Sequence, residues 1–121
     1  MPGPKETLPK LQEIDGFVGA CIVDSNSGMM LAAAGGGTAI NLEVAAAGNT
    51  EVVRAKRKTM KSLGMNDQID DILISLGKQY HLIRPLGSND ALFIYLALDK
   101  NKSNLAMARH ALASIEKELT V

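Results

Sequence analysis

The sequence predicts an α/β sandwich, in which a five-stranded antiparallel sheet carries one central helix on one face and two terminal helices on the other. Three observations lead there. The apolar periodicity runs helix, two strands, helix, three strands, helix. The strands within each group are joined by short turn-forming sequences, which makes them hairpins and the sheet antiparallel. Two strand segments are apolar on both alternations and so need cover on both sides, which three helices can supply. At 121 residues the chain forms one domain, residues 1–121. Hydrophobic residues make up 46% and aromatics only 3%, so aliphatic side chains and alanine must fill the interior.

"MPGP" reads as a frayed lead, extending to about residue 6. A short helix follows, with Thr7 as N-cap, Pro9 in its first turn, and Leu8, Leu11 and Ile14 on one edge; it runs through Asp15, and Gly16 ends it. "FVGACIVD" (17–24) is the first strand apolar on both faces. "SNSG" turns it into "MMLAAA". After the glycine loop, Asn41 caps a long helix that Gly64 closes. "QIDDILISL" (68–76), "QYHLIRPL" (79–86) and "ALFIYLAL" (91–98) are the remaining strands, the last again apolar on both faces. Pro85 belongs near a strand end or edge. Ser103 caps a final helix with a buried stripe of Leu105, Ala108, Leu112, Ile115 and Leu119.

The central helix, "LEVAAAGNTEVVRAKRKTM", divides into three stripes at 100° per residue. Leu42, Ala45, Ala46, Asn49, Val52, Val53, Met60 and Leu63 form the sheet side, with Lys56 among them and its stem laid over apolar surface. A second stripe, Val44, Ala47, Gly48, Glu51 and Ala55, is mostly of small residues. Gly48 costs about 1 kcal/mol relative to alanine in a helix interior. Close approach of a second copy across a two-fold axis would offset that cost, and these five residues are the candidate dimer interface. The third stripe holds Thr50, Arg54, Arg57 and Lys61, with Lys58 nearby. Five cations fall within residues 54–61 of a chain whose 13 basic and 13 acidic residues cancel. Cations near a helix C-terminus suit its dipole, and this patch also suits an acidic protein surface.

Residues that carry chemistry are scarce. Gly77-Lys78 lacks the flanking residues of a phosphate-binding loop, and "GGGT" reads as a mobile loop. His81 and His110 have no metal-ligand or nucleophile–base spacing, and Cys21 lies in a two-sided apolar strand as an inert thiol. Asp70 and Asp71 are neighbours on a strand, point to opposite faces, and read as charges that discourage edge pairing. No catalytic residue, metal ligand or cofactor site emerges. The start has no signal-peptide core, and no apolar run of about 18 residues is present for a membrane span, so a cytoplasmic protein is expected.

The order and spacing of "LQEIDGFVGACIVDSNSGMMLA", "NLEVAAAGNTEVVRA" and "NLAMARHALASIEKEL" resemble the Roadblock (dynein light-chain) family, over about Leu8 to Leu119. The "TLPKLQ" start is similar to that of its bacterial stand-alone GTPase regulators. The resemblance implies a profilin-like sheet sandwiched by helices. It further implies homo- or heterodimers in which central helices pack together and third strands pair edge to edge, which adds Ile72 and Ile74 to the dimer interface. The family's dimers are non-enzymatic platforms for small Ras-like GTPases or larger NTPases, and some bacterial members raise the partner's GTP hydrolysis. Carried over, Arg54, Arg57, Lys58 and Lys61 become the partner-binding candidates. The alternative function is a small-molecule-sensing or general scaffold module, which would need an apolar pocket with convergent polar groups. Nucleic-acid binding is disfavoured by the neutral net charge and the scarcity of aromatic residues.

Overall fold

The computed structural model describes residues 3–121. Helix α1 spans Pro4–Gln12, β1 Phe17–Asp24, β2 Met29–Gly35, α2 Leu42–Ser62, β3 Ile72–Ser75, β4 Gln79–Pro85, β5 Leu92–Asp99 and α3 Leu105–Glu118; a 3-10 turn at Lys100–Lys102 precedes α3. All pairings are antiparallel, and the strand order is β2-β1-β5-β4-β3. The two strands predicted to need cover on both faces, β1 and β5, are interior neighbours. The expected sandwich is the one observed.

Two cores lie either side of the sheet. On one face Ala20, Ile22, Leu82, Ile94, Leu96 and Leu98 pack against Leu8 and Leu11 of α1 and Ala108 and Leu112 of α3. On the other, Cys21, Val23, Ile83, Phe93 and Tyr95 pack beneath Leu42, Ala46 and Val53 of α2. Period-two alternation along β1 and β5 delivers each residue to one core or the other. Truncating such a residue, for example Ile94→Ala, costs about 2–5 kcal/mol.

Helix α1 is capped four residues earlier than the predicted Thr7. Gly3 is the N-cap and Pro4 opens the helix, with Glu6 accepting from the Gly3 N–H at 3.1 Å. Residues 4–6 of the expected frayed lead therefore form the first turn, while Met1 and Pro2 lie outside the described residues. Thr7 is buried and its hydroxyl donates to the Gly3 carbonyl at 2.9 Å. Helix α3 is capped by Asn104 rather than Ser103; the Asn104 side chain accepts from the Met107 N–H at 3.1 Å.

The central helix keeps its predicted ends. The Asn41 side chain accepts from the Val44 N–H at 3.2 Å. At the other end Gly64, with φ of 69°, turns the chain left-handed, and the Gly64 and Met65 N–H groups donate to Lys61 and Met60. Its buried face follows the predicted stripe at Leu42, Ala46, Val53 and Met60 and departs from it at two residues. Thr50, expected among the cations, is buried against the β1–β2 turn, and its hydroxyl returns to the Ala46 carbonyl at 2.7 Å. Leu63, expected on the sheet side, is 66% exposed because the helix end runs past the sheet. Strand β3 covers four residues, not the nine predicted from Gln68 to Leu76. The segment from Met65 to Asp71 is spent in returning from the end of α2 to the sheet edge.

Candidate interaction surface

Helix α2 lies chiefly over β1 and β2, so its outward side and the sheet beyond it determine what this face can meet. Of the predicted dimer residues, Val44 is 67% exposed, and Ala47, Gly48, Glu51 and Ala55 are exposed as well. They turn away from the sheet. Gly48 is the informative member. Its backbone has no positive φ, and a Cβ built there would meet no atom within 4 Å. Neither conformation nor packing within the single chain calls for glycine.

Ile72 and Ile74 are half-buried on β3, an edge strand of the sheet. Ile72 packs into the core beneath α2, and alternation places Ile74 on that same side. The structure thus puts both parts of the predicted interface on one side of the molecule without bringing them into a single patch. Beside α2 a groove of about 500 Å³ runs between the helix flank and the segment leading into β3, lined by Val52, Lys56, Met60, Met65 and Ile69.

The four predicted partner-binding cations divide in two. Arg54 donates to the Asn26 carbonyl at 2.8 Å and lies 3.6 Å from Glu51, while Arg57 donates to the Asp90 carbonyl at 2.6 Å. These arginines strap the β1–β2 and β4–β5 turns beneath the helix. The two turns are also joined to each other, since the Ser25 N–H and hydroxyl both donate to Ala91. Lys58 and Lys61 are exposed and make no ion pair among the described residues.

Ion pairs at the far side of the sheet went unread in the sequence. Arg84 of β4 donates to Glu116 at 2.9 Å, and the second Glu116 oxygen accepts from the Gly87 N–H at 3.2 Å. Glu116 is the buried polar residue inside the α3 stripe. Removing its carboxylate would leave Arg84 without its partner. The pair borders a surface cleft of about 620 Å³ that also holds Arg57, Lys61, Asp67 and Asp70, so charges of both signs line it. Asp71 accepts two bonds from Arg109 of α3, at 2.7 and 2.9 Å. Its side chain is 11% exposed and that of Arg109 48%. The expected edge-guarding charge of Asp71 is therefore already paired, and only Asp70 remains open to solvent at that end of β3. No signal in the sequence joins positions 38 residues apart.

The remaining chemistry-bearing side chains are held by the fold. Burial pushes the Cys21 thiol up to about 12 and the Tyr95 phenol likewise to about 12, which keeps both protonated. The His81 ring contacts Gln79 Oε1 through Nε2 at 2.9 Å and the Tyr95 hydroxyl through Nδ1 at 3.2 Å. The tautomer with its proton on Nε2 satisfies both, the ring donating to Gln79 and accepting from Tyr95. Burial lowers the His81 pKa. No group of three His, Cys, Asp or Glu that could hold a metal occurs among the described residues, and no helix there is long and apolar enough to cross a membrane.

Several solved structures share this architecture. Myxococcus xanthus MglB superposes with a TM-score of 0.74 at 18% identity, over 93% of this chain and 84% of that one. A Roadblock/LC7 domain from Streptomyces avermitilis gives 0.76 at 12% identity, covering 91% and 88%. The gliding protein MglB from Thermus thermophilus gives 0.69 at 20% identity, covering 95% and 89%. No family model matches the sequence, and no curated protein matches it significantly. The fold of this chain is that of the Roadblock/LC7 domain.

Proposed function

We propose that this chain is a Roadblock protein of the bacterial MglB type: a non-enzymatic homodimer that binds a small Ras-like GTPase or related NTPase and modulates its activity. The observation that carries the reading is Gly48. It sits in the interior of a 21-residue helix, about two turns from its start, at a position where a Cβ would be free of contacts. A glycine there costs about 1 kcal/mol, and a helix backbone of a second copy approaching along Val44, Ala47, Gly48, Glu51 and Ala55 offsets it. Ile72 and Ile74 supply a second, separate contact along the β3 edge. The likeness of fold to MglB structures supports the regulatory role.

In this reading Lys58 and Lys61, which make no ion pair among the described residues, meet an acidic surface of the GTPase directly. Arg54 and Arg57 contribute charge while holding the turns. Discrimination between nucleotide states follows from differential affinity for two switch conformations. The test has two arms. Sedimentation of the wild type and of Gly48→Arg should show a dimer and a folded monomer. Capture of cellular GTPases loaded with a GTP analogue or GDP should be nucleotide-dependent and lost in Lys58→Glu/Lys61→Glu. A wild-type monomer at high concentration, or capture indifferent to nucleotide, would sink the proposal.

A further inference from the structure

We infer that Arg109 is a positioning residue for self-association, masking the Asp71 carboxylate so that the β3 edge can pair with a second copy. The inference rests on the dimer reading above and adds a residue that lies on neither proposed contact. Strand β3 is four residues long, Ile72–Ser75, and carries no charge of its own. Leu76, which follows it, is 43% exposed. Asp71 immediately precedes it, so any register that pairs most of this short strand puts Asp71 at or beside the joint.

An unpaired carboxylate at such a joint must either lose its water or hold the partner strand away, and charged residues on edge strands work in this second way. Here the charge is cancelled in advance. The Arg109 guanidinium grips both carboxylate oxygens from α3, on the face of the sheet opposite α2, and the Asp71 side chain is left only 11% exposed. Fork-to-fork geometry fixes the carboxylate as well as neutralising it. Arg109 itself keeps 48% of its side chain in water. The two partners are therefore not equivalent. Loss of Arg109 strands a charge beside the edge, whereas loss of the Asp71 charge leaves only a solvated arginine on a helix.

That asymmetry supplies the experiment. Dimer dissociation constants are measured by sedimentation equilibrium for the wild type, Arg109→Gln, Asp71→Asn and the double variant, with thermal melts of each. Arg109→Gln should weaken the dimer about tenfold. Asp71→Asn should stay within about twofold of wild type, and Asp71→Asn in the Arg109→Gln background should restore dimerisation, although it does not restore the ion pair. A pair that merely staples α3 to the sheet predicts otherwise: both single variants then lower the melting temperature alike, neither is rescued by the other, and the dissociation constant follows fold stability. That pattern, or an unaltered constant in Arg109→Gln, overturns the inference while leaving the dimer intact. A wild type that never dimerises overturns the dimer reading and this inference together.

Discussion

Burial sets the protonation state of His81. Its ring is lodged between Gln79 and the Tyr95 hydroxyl, edge-on to the Tyr95 ring, and desolvation holds its pKa below the ordinary 6.5. In the unfolded chain the imidazole takes up its proton at the ordinary value, so acidification favours unfolding. The contribution to stability is complete above about 6.5 and is lost as pH falls through the lowered folded value. Urea titrations between roughly pH 7 and pH 5 should show this loss for the wild type and a smaller one for His81→Gln. Equal slopes would mean that the ring is solvated and the Tyr95 contact open. In the sequence His81 is one strand residue among several; Gln79 lies two residues away on the same strand, and only the pairing of β4 with β5 supplies Tyr95.

Helix α2 can be separated into what serves the fold and what is left exposed. Leu42, Ala46, Val53 and Met60 are buried. Arg54 and Arg57 reach down to the turns, and both jobs are internal. Gly48, in the exposed stripe, has no such job among the described residues. Gly48→Ala should therefore stabilise the single chain by about 1 kcal/mol, read as a higher urea midpoint under conditions where the protein is monomeric. The same methyl group lies in the proposed contact, so it should weaken self-association. A Gly48→Ala protein less stable as a monomer would reveal an internal constraint on this glycine and remove the reason for placing a partner there. The 3.6-residue period located the helix and the small-residue stripe. It misplaced Thr50 and Leu63, because the angle at which a helix lies on a sheet and the point where it leaves it are set by the partner surface.

The whole molecule is an open sheet with two edges, β2 and β3. One helix covers the β1–β2 side of one face, and an edge strand of four residues, β3, lies at the other end of the sheet. The exposed helix stripe and the unpaired β3 edge form the surface proposed to meet a second copy. If two copies complete it, mass action requires the melting temperature to fall on dilution through the dissociation constant, and Gly48→Arg to melt at one temperature whatever its concentration. A wild-type melting temperature that ignores dilution, in a protein that sediments as a monomer, would contradict this.

Local chemistry is what the sequence settles. Two-sided apolar runs identify β1 and β5 as interior strands, the turn residues between strands impose hairpins, and Asn41 and Gly64 bracket α2, because each of these signals acts over a few neighbouring residues. Tertiary structure alone decided that β3 is short, and that Arg84 meets Glu116 and Arg109 meets Asp71. Those outcomes depend on distances between segments far apart in the chain, where side chains of opposite charge find one another only after the sheet and helices have been assembled.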